Sequence, residues 1–225
     1  MSDDEVAELL RSEVSLVVIE APAGCGKTYQ GASYARDAVK TLPRGRLLIL
    51  AHTHAACGVF AERTLRAGSK VEIKTVASLS VEIAGAYHKA LGIAAKPETW
   101  AWKNGGAGFD QIAQKCAQLL TQLPMIARAL ARRYPIIVCD EYQDCTADQH
   151  TILMALNGGG AKLRIFADPL QRIYTGRTTN TAKEDADCWQ ALRQWQLAAN
   201  LSVRTDGWRV PLNLANGFLK LGRIC

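Results

Sequence analysis

Residues 16–28 read Leu16-Val17-Val18-Ile19-Glu20-Ala21-Pro22-Ala23-Gly24-Cys25-Gly26-Lys27-Thr28, and a helical pattern follows from Tyr29 onward. The apolar run Leu16 to Ile19 has no polar alternation, which fits a parallel strand buried on both faces. A strand, a Gly-rich turn, Lys-Thr and a helix in that order form a Walker A loop. The glycines let successive backbone N–H groups curl around phosphate oxygens, and the helix N-terminus adds its dipole. On this reading Ala23, Gly24, Cys25, Gly26, Lys27, Thr28 and Tyr29 bind a nucleotide. Lys27 reaches its β- and γ-phosphates, and the Thr28 hydroxyl ligates Mg²⁺. Ala21 stands where the pattern usually begins with glycine. A bare Gly-Lys-Thr could be a simple turn before a helix; the flanking strand and helix weigh against that.

Further apolar runs of the same kind are Leu47 to Leu50, Ile136 to Cys139 and Leu163 to Phe166, with a shorter one at Val71 to Lys74. Helical patterns long enough for crossovers lie between them. The chain therefore reads as an α/β P-loop NTPase with an open parallel sheet and helices on both faces. Residues 87–133 break this rhythm with Lys96-Pro97, Trp100 and Trp102, the loop Asn104 to Gly108 and a long helical pattern from Asp110. They read as a small helical insertion.

The run Ile136 to Cys139 ends in Asp140-Glu141-Tyr142-Gln143-Asp144. Alone, such acids are more often a solvated turn. Downstream of a P-loop and after an apolar strand they read as Walker B, with Asp140 holding Mg²⁺ through its water shell and Glu141 polarising the attacking water. Each polar motif falls at the C-terminal end of an apolar run, where open α/β sheets place their ligands.

Composition narrows the classes. Lys and Arg number 27 against 21 Asp and Glu, and the net charge of +6 suits a polyanionic partner, though it is also common in ordinary soluble proteins. The seven cysteines are scattered and odd in number, which suggests neither a disulfide framework nor a zinc knuckle. An acidic N-terminus, Met1-Ser2-Asp3-Asp4-Glu5, and the absence of a long apolar run give no sign of a signal peptide or membrane span. A reduced, cytoplasmic protein is expected.

Taken in order, these segments resemble the N-terminal, first RecA-like domain of UvrD/Rep-type superfamily 1 DNA helicases. The P-loop and Asp140 to Asp144 resemble that family's first and second motifs. The segment Leu48 to Ala56, with His52, Thr53 and His54, resembles its first single-stranded DNA contact, and Lys74 to Leu79, with Thr75, the short segment after it. Ala167-Asp168-Pro169-Leu170-Gln171-Arg172-Ile173-Tyr174 resembles the third motif. There the resemblance makes Gln171 a γ-phosphate sensor, with Tyr174 and Arg177 beside the DNA. Gly207-Trp208-Arg209, with Leu214-Ala215-Asn216 after it, resembles the fourth, in which Trp208 would stack on adenine and Arg209 meet the γ-phosphate.

The resemblance implies ATP and Mg²⁺ as cofactors and single-stranded DNA as partner. It implies an ATP-dependent helicase or translocase of 3′-to-5′ polarity. Residues 1–86 and 134–225 would form the ATP-binding motor domain, with 87–133 inserted. A second RecA-like domain is expected to be missing from these residues and to come from the same polypeptide or from a partner, so the 225-residue chain should hydrolyse ATP weakly.

Departures temper the DNA side. His52 replaces a stacking aromatic, Gly176 replaces another, and there is no glutamine motif ahead of the P-loop. The competing reading is an ATP-dependent switch that docks on DNA or a partner without translocating. Among single residues, Arg209 could instead be a surface charge, Arg128, Arg132 and Arg133 read as a solvated helix face, and the tryptophans at 100, 102, 189 and 195 read as packing.

Overall fold

The computed structural model describes residues 3–21 and 23–168, and the backbone of residues 201–203, 209–211 and 218–222. The chain begins with α1 (Asp3–Arg11), β1 (Leu16–Glu20), α2 (Lys27–Thr41), β2 (Leu47–Ala51), α3 (His54–Thr64) and β3 (Val71–Thr75). A helical run follows: α4 (Val76–Ala86), α5 (His88–Leu91), α6 (Pro97–Lys103), α7 (Gly108–Gln122) and α8 (Pro124–Arg133). Then come β4 (Ile136–Cys139), α9 (Ala147–Gly158), β5 (Lys162–Ala167) and the strands β6 (Leu201–Val203), β7 (Arg209–Pro211) and β8 (Phe218–Gly222).

The main sheet has the order β3-β2-β4-β5-β1-β8, and each pair of neighbours is parallel. The two strands β6 and β7 pair antiparallel in a separate ribbon. The α/β parallel sheet is the one the apolar runs predict: β4 coincides with its run, and the other four strands extend by a residue at one or both ends.

Because side chains alternate across a strand, the sheet splits its residues between two cores. Leu16, Val18, Leu48, Leu50, Ile137 and Ile165 face one core together with α4 and α7 to α9. Val17, Ile19, Leu47, Ile49, Val138 and Phe166 face the other, against α1, α2 and α3. Both faces of β1, β2, β4 and β5 are covered along nearly their whole length, which is why those runs carry no polar alternation. Ile112, Cys116, Leu120 and Ile126 from the helical stretch 87–133 lie in the same core cluster as the sheet residues. The approach of α6 to α7 is close enough that a Cβ on Gly108 would lie 2.2 Å from the Ala101 carbonyl oxygen.

The edge strand β3 is guarded by charge. Glu72 accepts from Arg46 and Lys74, at 3.1 and 2.5 Å, and Lys74 also meets Glu82. Arg133 belongs to this cluster, 2.6 Å from Glu82 and with its guanidinium 4.8 Å from the Tyr134 ring centroid. Arg128 and Arg132 are exposed, as a solvated face requires, whereas Arg133 is tied down because the end of α8 meets β3 and α4 there. Trp100 packs against the core, but Trp102 is 75% exposed and touches only the edge of Phe109 among ring contacts of the described residues. Among the described residues no helix is long and apolar enough to cross a membrane.

One charged side chain sits wholly inside. Arg164, in the middle of β5, is 0% exposed and donates to the carbonyl oxygens of Leu10, Ser12 and Val14 at 2.7, 2.8 and 2.9 Å. Those carbonyls end α1 and lead into β1, so the guanidinium caps a helix C-terminus, where a positive charge is favoured. Its carbon also lies 5.6 Å from the Tyr34 ring centroid. Burial lowers the Arg164 pKa from its ordinary value and raises that of Tyr34. Replacing Arg164 by Ala removes the donor to three carbonyls at once, and we expect a loss of about 3 kcal/mol or more in urea denaturation. Arg11→Ala, which breaks the exposed pair with Asp37, should lose under about 1 kcal/mol.

Candidate nucleotide-binding site

In the sheet order, β5 lies between β4 and β1, and parallel pairing sends the loops after all three strands out of the same edge. The ladder continues into those loops: Ala21 N–H donates to Ala167 O at 3.1 Å and Asp140 N–H to Leu50 O at 2.9 Å. Residues far apart in sequence are thus fixed around one depression.

The loop after β1 turns through Gly24 and Gly26, with φ of 78° and 79°, a region that side chains disfavour. No Cβ clash would arise at either position, so the demand there is for backbone torsion rather than space. Gly26 is the N-cap of α2 and no side chain caps that helix. Its first-turn N–H groups therefore point where an anion is stabilised. Lys27 begins α2 and is 7% exposed; its Nζ donates to Ala21 O at 2.7 Å and lies 3.8 Å from Asp168 Oδ2. A pocket of about 320 Å³ is lined by Ala23, Gly24, Gly26, Lys27, Thr28 and Tyr29, together with Glu141 and Arg63. Tyr29 is 55% exposed at its rim, and Cys25 is half-buried.

Thr28 Oγ1 donates to Asp140 Oδ2 at 3.1 Å. The other carboxylate oxygen, Oδ1, is buried without a hydrogen-bond partner. A carboxylate with one oxygen on the P-loop hydroxyl and a bare second oxygen fits the hard-cation site that Mg²⁺ requires. Thr28 and Asp140 would hold the ion, directly or through water.

Glu141 is the sole non-glycine with positive φ among the described residues, at φ 51° and ψ 44°. Its carboxylate accepts from Gln143 Nε2 at 2.5 Å, and Gln143 Oε1 accepts from Asp168 N–H at 2.9 Å. Burial, followed by the negative charge of Glu141, pushes the Asp140 carboxyl up to about 6, against the opposing bond from Thr28.

Residues 82–183 match the family model described as UvrD/REP helicase N-terminal domain. Over those residues the chain is similar to a UvrD/Rep-type N-terminal domain. No curated protein matches it. The matched span takes in Asp140, Glu141, Gln143 and Asp168, while the P-loop lies ahead of it. The similarity is to a family of ATP-dependent helicase motors.

Ala23, Gly24, Gly26, Lys27, Thr28, Tyr29 and Glu141 share one pocket, and Asp140 joins it through Thr28. Gln171, Tyr174, Arg177 and Trp208 lie outside the described residues, and Arg209 is described only as backbone, at the start of β7. The expected DNA-contact residues follow β2 and β3. Thr53 is exposed and caps α3, accepting from Ala56 N–H at 3.1 Å, beside an exposed His54. His52 is half-buried, its Nε2 lies 3.4 Å from Cys145 Sγ, and burial lowers its pKa to about 4, so the ring is neutral. Thr75 is 7% exposed and its hydroxyl caps α4 through Ser78 N–H.

Sequence reasoning left Arg63, Gln143 and the Lys27–Asp168 approach without roles. Arg63 ends α3 a full helix after the motif segment, and nothing in its neighbours marks it. The two polar bonds of Gln143 depend on tertiary geometry, though its place inside the Walker B run was a usable signal.

The Asp140 shift makes a pH prediction. An acid whose folded pKa exceeds its ordinary 3.8 stabilises the fold below pH ~4, and that contribution fades as pH rises through about 6. Ionised Asp140 then opposes folding of the ligand-free chain at neutral pH by on the order of 3 kcal/mol at most. Asp140→Asn should therefore be more stable than wild type at pH 7 and no more stable at pH 4, in paired denaturation curves. Magnesium-dependent nucleotide binding by the wild type should strengthen as pH rises through about 6. A destabilised Asp140→Asn chain at pH 7 contradicts this account.

Proposed function

We propose that the chain is the nucleotide-binding motor domain of an ATP-dependent, 3′-to-5′ DNA helicase or translocase acting in the cytoplasm. The observation that carries the reading is the Thr28–Asp140 bond, set in a pocket with Lys27 and Glu141. Ala23 to Thr28 cradle the phosphates with backbone N–H groups, and Lys27 supplies the positive charge at the β- and γ-phosphates. Bound Mg²⁺ would neutralise charge developing on the transferred phosphoryl group. Glu141 accepts the proton of the attacking water, and Tyr29 and Trp208 flank the base. Arg63, from within the pocket, together with Gln171 and Arg209, meets the γ-phosphate.

Single-stranded DNA crosses the surface formed by His52, Thr53, His54, Thr75, Tyr174 and Arg177. A second RecA-like domain, in the same polypeptide or in a partner, closes the open side of the pocket and makes translocation possible. Residues 1–86 and 134–225 act as the motor core and 87–133 as its helical insertion.

A second reading, an ATP-dependent switch that binds DNA or a partner without moving along it, is favoured by two details. His52 is engaged with Cys145, and Thr75 spends its hydroxyl on a helix cap, so two expected contacts are turned inward. Base stacking contributes ~1–3 kcal/mol per base, and a face short of platforms holds a strand less tightly.

Nucleotide affinity and hydrolysis, each measured with and without a single-stranded oligonucleotide, test the proposal. Lys27→Ala should weaken Mg·ATP binding at least about tenfold. Glu141→Gln should leave affinity nearly unchanged while slowing hydrolysis by about 10²-fold or more. DNA should stimulate the wild type; hydrolysis indifferent to DNA would favour the switch, and full activity in Glu141→Gln would remove the assigned base.

A further inference from the structure

We propose that Gln143 is the positioning residue that locks the Glu141 carboxylate for water activation and makes that lock depend on the Asp168 backbone at the end of β5. The inference deepens the hydrolytic reading given above and rests on it.

Gln143 lies in the short 3₁₀ turn Tyr142–Asp144 that follows Glu141, and it is 6% exposed. A side-chain amide carries a donor end and an acceptor end that cannot be interchanged without facing like against like. Here both ends are engaged: Nε2 donates to Glu141 Oε2, and Oε1 accepts from the backbone N–H of Asp168. The carboxylate and the N–H fix the amide's orientation between them. A charged acceptor makes the first bond the stronger kind, and its 2.5 Å length agrees.

Glu141 needs such a hold. Its backbone sits in the left-handed region, which an L side chain enters only against steric strain. A residue kept there must be over-determined by its surroundings. Among the described residues, the hydrogen bond from Gln143 restrains its carboxylate.

The other end of the amide reports on a different motif. Asp168 is the residue at which the chain leaves β5, and its carboxylate lies 3.8 Å from Lys27 Nζ. Lys27, Asp168, Gln143 and Glu141 thus form a continuous polar path around the pocket, from the phosphate-binding lysine to the proposed base. A shift of the Asp168 backbone pulls on the amide oxygen, and the same rigid group moves the Glu141 carboxylate. Hydrolysis becomes sensitive to the position of the Asp168 backbone at the end of β5.

The test compares wild type, Gln143→Ala, Gln143→Glu, Glu141→Gln, Glu141→Gln/Gln143→Ala and Lys27→Ala in the full 225-residue chain. Mg·ATP dissociation constants, single-turnover hydrolysis rates with an oligo-dT strand and melting temperatures are measured. Gln143→Ala should slow hydrolysis by about tenfold to a hundredfold with affinity within about twofold of wild type. Gln143→Glu retains an acceptor for Asp168 N–H but loses the donor to Glu141, and should be slowed at least as much. The double variant should be no slower than Glu141→Gln alone, because the two residues act as a unit.

Multiplying losses in the double variant, or wild-type rates in Gln143→Glu, overturn the proposal. So does a rate loss that comes with lower affinity and a lower melting temperature, which marks a purely structural glutamine. If wild type fails to hydrolyse, or Lys27→Ala matches it, the hydrolytic reading itself falls and takes the proposal with it. If Lys27→Ala and Glu141→Gln behave as expected while the Gln143 variants are normal, the positioning role alone is lost.

Discussion

The hydrogen bond from Thr28 Oγ1 to Asp140 Oδ2 joins two loops 112 residues apart, and the site exists only where that bond can form. Its length depends on the strand order, in which β5 separates β1 from β4 and all three run the same way. Parallel strands need long crossovers, and each crossover places a helix over one face of the sheet. The two cores follow from that requirement, and the loops are left free at one edge to carry polar groups. Fold and site are consequences of a single topological choice.

The same edge concentrates what the rest of the structure avoids. It holds a buried carboxylate with an unpartnered oxygen, a buried lysine close to a second carboxylate, and a non-glycine in the left-handed region. Each is unfavourable in isolation. Together they describe a cavity preorganised for a metal–polyphosphate, whose charges would complement these groups. The apolar cores and the buried Arg164, which ties α1 and the entry to β1 onto β5, supply the rigidity that holds these groups in place.

Much of this was legible in the residues. Uniformly apolar runs predict strands covered on both faces, and Leu16–Glu20, Leu47–Ala51 and Ile136–Cys139 are buried along nearly their whole length. The glycines at 24 and 26 signal a phosphate loop through their torsional freedom, and both have positive φ. Spacing conveys less about partners. That Arg63 faces the P-loop, that Gln143 bridges two motifs and that His52 meets Cys145 arise from distances closed only on folding. Arg164 is the sharpest case, since an arginine in a strand pattern looks like an edge or surface charge until α1 is found ending above it.

The central claim is that Lys27, Thr28, Asp140 and Glu141 form one metal–nucleotide site. A crystal structure of the chain soaked or grown with Mg²⁺ and a non-hydrolysable ATP analogue tests it most directly. The account predicts the phosphates within the Ala23–Thr28 loop, and the metal on Thr28 Oγ1 with Asp140 Oδ1 in its inner or water shell. Phosphates bound away from that loop, or a metal with neither Thr28 nor Asp140 near it, would contradict it.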